Sequence, residues 1–385
     1  MGLDRRLGQL VLTQLPDAHR LSYTTPSGAA GLAECLLRVA FGSDPECRSE
    51  VPNSPAARLG SVCHRILELA GQGRLGAAGV SFRGTFEAAW AAEIAREEEH
   101  RRRSALEAHW PSPERWPNYA RRKVATRRLA ERIVESNEGP SRDGGPAGGV
   151  FQEVAQQAYN GQLRGRADVI RRGAVHEVED YKTGALVEAD GSGIKPQYRI
   201  QMLLYAALEY EATGEWPERA TLIPLQGNPA VVEVAPAEAL AVAQAAINDL
   251  GRYNRAVEDG ADFGALADPS PAACAYCPYS IRCPAFWAAA DETWREAGIV
   301  ALAGEIKRRA ESRLSTFSLS LDMAAGSVPQ GEYLLYQLEA ERFRALAEAP
   351  LGDECAAVWL IGDVEAKQLR ATARTRVYVD VSQVA

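Results

Sequence analysis

Asp168, Asp180 and Lys182 are the residues whose types and spacing carry chemistry in this chain. They fall in Gly165-Arg166-Ala167-Asp168 and in Val178-Glu179-Asp180-Tyr181-Lys182-Thr183-Gly184, two stretches that read as neighbouring strands. Asp180 and Lys182 are two apart, so on a strand they project to the same side. Two acids suit Mg²⁺, which takes few carboxylates and completes its shell with water and phosphate oxygens. A lysine beside them can steady an attacking water or the charge of a transition state. That combination is one way to cut a phosphodiester. Its plain alternative is a surface ion pair on a hairpin.

Three further constellations lie around this one. His64 and Glu68 in Gly60-Ser61-Val62-Cys63-His64-Arg65-Ile66-Leu67-Glu68 are four apart and share a helix face. A neutral imidazole is a ligand for Mn²⁺ and a tolerable one where Mg²⁺ also binds. Gln197, Gln201 and Tyr205 follow at four-residue steps along one face of a helix, where an amide and a phenol can bond a phosphate or brace metal ligands. Finally, Cys274, Cys277 and Cys283 are spaced by two and five intervening residues. Three such cysteines need a fourth ligand to close a Cys₄ site, and Cys35, Cys47, Cys63 and Cys355 are the candidates.

These residues need elements to hold them. Strands are expected at 151–159, 162–171 and 174–182, a helix at 196–212, strands at 220–226 and 230–235, and a helix at 237–258. That order predicts a mixed α/β core. Upstream, helices are expected over 20–42 and 56–70, with loop between them at 43–55. A helical region from 84 to 136 is broken near Pro111, Pro113 and Pro117. The Gly- and Pro-rich stretch 138–149 reads as a flexible linker. From about 298 the pattern alternates: Phe317, Leu319 and Leu321 with serines between them, then Val377, Val379 and Val381. Four or five short strands in such a tail predict a small β-barrel, with the oligonucleotide-binding (OB) fold as the nearest type.

Bulk properties narrow the setting. The chain has 385 residues, 46% apolar and 24% charged, ordinary values for a water-soluble protein. No apolar run reaches the length of a membrane span, and the first twenty residues carry no signal-peptide pattern, so a cytoplasmic location is expected. The net charge of −8 does not point to nucleic acid and does not exclude it, because local patches outweigh the sum. Arg101–Arg103 and the group Arg121, Arg122, Lys123, Arg127 and Arg128 are either phosphate-contacting surfaces or solvated helix faces. Seven cysteines, an odd number in a reducing compartment, argue against a disulfide framework.

Taken in order, these motifs resemble the RecB-family nucleases of the PD-(D/E)xK superfamily over roughly residues 20 to 290. The likeness is greatest to the iron–sulfur branch, which includes AddB-type repair nucleases and the CRISPR-associated adaptation nuclease. That branch has one cysteine before the core and three after it, which match Cys35 and Cys274, Cys277 and Cys283. Cys35 stands in a segment similar to the family's C-P-x-R-F start, with Leu36 where proline is common. The resemblance implies a nuclease core in 1–297, with a helical insertion over about 71–149 and an appended domain at 298–385. It makes His64, Asp168 and Asp180 ligands of Mg²⁺ or Mn²⁺, Lys182 the catalytic lysine, and Gln201 and Tyr205 the Q-x-x-x-Y pair at the catalytic centre. Glu153 matches an acid on the first strand. The four cysteines would hold a [4Fe–4S] cluster as a structural staple, with zinc as the alternative. Cys47, Cys63 and Cys355 are then ordinary thiols.

The implied activity is metal-dependent cleavage of DNA, as an exonuclease on single strands or ends, in repair, recombination or defence. No Gly-x-x-x-x-Gly-Lys-Ser/Thr phosphate loop is present, so a helicase motor would be a separate partner. Two other readings stay open: a non-cleaving DNA-binding subunit of a helicase–nuclease or defence complex, and a nuclease acting on RNA.

Overall fold

The computed structural model describes residues 16–49, 51, 54–76, 81–103, 110–138, 149–188, 191–312, 315–358, 360–372 and 375–379. The start of the N-terminal segment read for a signal peptide, nearly all of the 138–149 linker, and Val381 lie outside the described residues.

The chain enters through short helices, α1 (Ala29–Glu34), α2 (Leu36–Ser43) and α3 (Pro45–Ser49). The single helix expected over 20–42 starts later because Thr24 is taken up by the sheet: its N–H donates to Gln162 O and its carbonyl accepts from Arg164 N. It also breaks at Cys35, whose backbone is extended (φ −163°, ψ 113°). The segment expected as loop contains α3. Helix α4 (Pro55–Gly71) begins where the sequence marks it, with Ser54 accepting from Ala57 N and Pro55 at the first position, both favoured starts. Helices α5 (Phe82–Arg103) and α6 (Tyr119–Glu138) follow.

Five strands make the first sheet, in sequence order. β1 (Gly149–Ala158) and β2 (Leu163–Arg172) form an antiparallel hairpin, and β3 (Glu177–Lys182) pairs antiparallel with β2. Helix α7 (Pro196–Thr213) then crosses over, so that β4 (Arg219–Pro224) runs parallel to β3, with β5 (Ala230–Glu233) antiparallel at the edge. Gly214, at φ 77°, ends α7 in the left-handed turn that glycine tolerates. Helix α8 (Pro236–Glu258) packs with α7 on one face through Val178, Leu204, Leu208 and Ala243. Helices α4, α5 and α6 cover the other through Ile66, Trp90, Leu129 and Val169. Covered on both faces, β3 buries Glu177, Val178, Glu179, Asp180 and Tyr181 in succession, as the inner strand of a doubly covered sheet must.

Beyond α9 (Phe263–Leu266), α10 (Pro271–Ala275) and α11 (Pro284–Ala289) comes a second sheet. Its strands are β6 (Ala301–Glu311), β7 (Thr316–Gly326), β8 (Glu332–Glu339), β9 (Glu354–Val358), β10 (Ile361–Asp363), β11 (Gln368–Arg370) and β12 (Arg376–Val379), with α12 (Arg344–Glu348) between β8 and β9. They number seven rather than four or five, in the order β10-β11-β8-β7-β6-β9-β12. The sheet curls over Phe317, Leu321, Tyr333 and Leu369 as a half-barrel. Bulges in β6 and β7 help to bend it. Among the described residues its two edge strands, β10 and β12, are not paired with each other, so the small barrel expected from the alternation takes the form of a half-barrel. No described helix is long and apolar enough to cross a membrane.

Candidate active site

β3 carries Asp180 and Lys182 onto the face that α7 covers, and the two-residue spacing does place them side by side. The Lys182 ammonium lies 2.6 Å from Asp180 Oδ2 and donates to Gln201 Oε1 at 2.7 Å. Gln201 Nε2 donates in turn to Asp180 Oδ1 at 3.3 Å. Gln201 therefore closes a three-membered ring in which its two ends have complementary tasks. Asp180 is 4% exposed, and its buried Oδ2 has the Lys182 ammonium as its partner. The ring of Tyr198 sits 4.9 Å from the same ammonium, close enough for a cation–π contact.

Asp168 stands on β2 beside them. Its Oδ2 accepts from Tyr181 N at 2.6 Å, yet burial and the nearby Asp180 charge hold its carboxyl well above the usual carboxylate range. Glu153 faces it across the hairpin, between the flanking pairs Gln152–Val169 and Val154–Ala167, and directly opposed residues are close neighbours. Glu153 adopts φ 51°, a left-handed backbone uncommon outside glycine. Burial and the charge of Glu68 raise its carboxyl too. From α4, His64 is held below its ordinary pKa by burial, against the pull of Asp180, so its imidazole is neutral and can offer a lone pair. Tyr205 donates to Arg166 O at 3.0 Å, bracing the β2 backbone two residues before Asp168.

Acids crowded at one place, with the carboxyls of Asp168 and Glu153 both pushed upward, form a site with an excess of negative charge. A divalent cation would offset that excess, and carboxylates with one imidazole are donor types that suit Mg²⁺ or Mn²⁺. Among the described residues no three His, Cys, Asp or Glu side chains close into a ready-made coordination sphere.

Some sequence expectations fall away here. Gln197 is exposed and stands outside the ring that Gln201 completes. Tyr198 was not singled out by four-residue spacing, although it lies three before Gln201 and so on a neighbouring helical position. The first basic run is paired internally, Arg101 and Arg102 with Glu98 and Arg103 with Glu99, and in the second Lys123 pairs with Glu87. Arg121 donates to Gln226 and Arg122 to Ala56 O.

The profile of the PD-(D/E)XK nuclease superfamily matches residues 23–284, more than half of the chain. The chain belongs to this superfamily. Among solved structures it is similar to a candidate exonuclease from Eubacterium rectale, at 14% identity and a TM-score of 0.36, over 62% of this chain and 82% of that one. It is also similar to SSO0001, at 20% identity and a TM-score of 0.23, over 36% of this chain. The match spans 60% of the length of SSO0001. No curated protein matches the chain.

The superfamily match ends one residue past Cys283, so the nuclease-like region contains Cys35, Cys274, Cys277 and Cys283. These four line one pocket, together with Arg38 and Phe41, and all are free thiols. The extended backbone at Cys35 is what turns it out of the α1–α2 run. Burial pushes the Cys274 thiol up to about 11 and Cys283 up to about 12, and raises Cys277 as well. Thiols this reluctant to ionise become thiolates when a metal replaces the proton. The other three cysteines do not line the pocket. Cys47 donates to Asp44 Oδ2 at 3.4 Å, and Cys63 and Cys355 are buried in apolar surroundings.

Proposed function

We propose that this PD-(D/E)XK protein is a divalent-metal-dependent deoxyribonuclease, acting on single strands or ends of DNA. The observation that carries this reading is the ring of Asp180, Lys182 and Gln201 beside Asp168. Asp168, Asp180 and His64 would hold the cation, with Glu153 next to them. Once bound, the cation supplies a Lewis acid for the phosphate oxygens and acidifies water at the site.

The chain's own groups do the rest. Lys182, fixed by Asp180, Gln201 and the Tyr198 ring, points a positive charge at the place where negative charge develops, without having to reorganise. It also orients the attacking water through a hydrogen bond. Gln201 keeps Lys182 and Asp180 in register. Tyr205 does the same for Asp168 by holding the β2 backbone. Neutral His64 adds a donor without adding to the acid excess.

The cysteine pocket is read as the seat of a [4Fe–4S] cluster, with zinc as the other occupant of the same thiolate set. Cys35 and Cys283 lie far apart in sequence, so joining them closes a long loop, where cross-linking gains most in principle. A helicase working with this chain would be a separate polypeptide, because the sequence carries no phosphate loop of its own.

The test is cleavage of end-labelled single- and double-stranded DNA, and of RNA of the same sequence, with Mn²⁺ or Mg²⁺. Wild type is compared with Asp180→Ala and Lys182→Ala. Equal rates in all three proteins would sink the assignment. DNA binding without cleavage would favour a scaffold subunit, and RNA cleavage alone would change the substrate. Elemental analysis after anaerobic purification decides between iron with sulfide and zinc.

A further inference from the structure

Arg376 on β12 belongs to the second sheet, outside the region matched by the nuclease superfamily, yet its guanidinium reaches into the cysteine loop. Nη1 donates to Cys277 O at 2.5 Å and Nη2 to Ser280 Oγ at 3.0 Å. The short helical turn Ser280–Arg282 lies against β9 and β12, and Ile281, Phe286 and Trp287 pack under Ala356 and Val358 of β9. Arg376 is thus half-buried at the junction of the two sheets.

A guanidinium partly taken out of water is stabilised by a countercharge. Arg38, the other arginine at the pocket, has one: its Nη1 lies 3.0 Å from Glu34 Oε2. Arg376 has no carboxylate within ion-pair distance among the described residues. Its charged-state neighbours are Cys277 and Cys274. Protonated thiols do not neutralise it. Four thiolates gathered on a metal centre leave a net negative charge, whether the centre is iron–sulfur or zinc.

We infer that Arg376 is the counter-ion of the metal-bound thiolate cage, and that this pairing latches the C-terminal sheet onto the cysteine loop. The inference rests on the reading that the four cysteines hold a metal centre. It adds that the charge of that centre, felt through Arg376, is part of what docks residues 298–379. Emptying the cage leaves Arg376 uncompensated and loosens the sheet. Removing Arg376 leaves the cage's negative charge facing Arg38 alone and loosens the metal.

The experiment uses the full chain purified anaerobically. Metal content is measured first. The rate of metal transfer to a coloured chelator is then followed for wild type, Arg376→Met and Arg376→Lys, and limited proteolysis maps cuts within 298–379. Arg376→Met is expected to lose metal roughly tenfold faster, the size typical of removing an outer-shell partner. Arg376→Lys, which keeps the charge but loses the fork, is expected to fall between. Wild type stripped of metal is expected to be cut faster in the C-terminal sheet, a readout that needs no variant to fold. A wild type that carries neither iron nor zinc overturns the cage reading and this inference with it. A metal-loaded wild type whose release rate is unchanged in Arg376→Met, and whose C-terminal sheet is cut equally with and without metal, overturns the inference and leaves the cage reading standing.

Discussion

At the Asp168 side chain, stability and chemistry oppose each other. Burial and the Asp180 charge raise its carboxyl, so in the cation-free protein it favours folding only while protonated. That contribution is fully present below the ordinary carboxylate pKa and is lost as pH rises above it. Asp168→Asn keeps an acceptor for Tyr181 N and removes the charge. Chelator-treated Asp168→Asn is therefore expected to be more stable than wild type at pH 7, by about 1 kcal/mol or more, read as a higher urea midpoint. It is also expected to lose cleavage. A lower midpoint would mean that Asp168 is held by contacts absent from this geometry. Gln201 offers a second test, since it positions Lys182 rather than reaching substrate. Gln201→Ala leaves the Asp180–Lys182 pair but opens the ring. Its kcat is expected to fall by roughly 100-fold, as for a small misplacement of a reacting group, with KM little changed.

At the scale of elements, α7 joins the site to the sheet, and two of its features yield measurable consequences. Gly165 lies under it: a Cβ there would meet Leu208 Cδ1 at 2.8 Å and Pro26 at 3.1 Å. Gly165→Val is expected to cost about 1–3 kcal/mol by overpacking, seen as a lower urea midpoint with unchanged slope. Glu209, fully buried on α7, takes hydrogen bonds from Arg172 at 2.7 Å and Gln156 at 2.7 Å, with His176 Nε2 at 2.7 Å. Burial alone would raise its carboxyl, but these partners hold it below the ordinary value. The sign is the reverse of Asp168: Glu209 stabilises above its unfolded pKa, and that stabilisation is lost as pH falls through the lower folded value. Glu209→Gln is expected to flatten the acid side of a plot of stability against pH. The elements around these residues were legible because turn and helix-start residues bound them, Asn160-Gly161 between β1 and β2 and a proline at the start of α7 and of α8: β1 to β3, α7 and α8 lie within a few residues of expectation. The break at Cys35 was not, because a cysteine between two helical turns has no local signal and is turned outward by the pocket it lines. Tyr198 was hidden for a similar reason, since its partner Lys182 comes from another element. In the tail, β10 and β11 are three residues each, too short for alternation to register.

For the whole molecule, the question is whether the two sheets are independent. The sequence marks a change of character at 298, which invites a boundary there. Packing argues for interdependence. Phe286, Trp287 and Trp294, each 5% exposed or less, are covered in part by Ala301, Ala303, Ala356 and Val358 from β6 and β9. The first half of β6 is buried on both sides, since Leu302 and Ile306 face the half-barrel core instead. Burying a large apolar side chain is worth about 1.5–3 kcal/mol, so uncovering three of them costs a sum comparable to the net stability of a typical domain, about 5–15 kcal/mol. A fragment ending at residue 297 would also lose Arg376 from the cysteine loop. That fragment is expected to bind a hydrophobic dye, to run as aggregates in size exclusion, and to show no cooperative melt. A monomeric 1–297 fragment that melts near the full-length temperature and retains its metal would show instead that the half-barrel is carried by the nuclease core without supporting it.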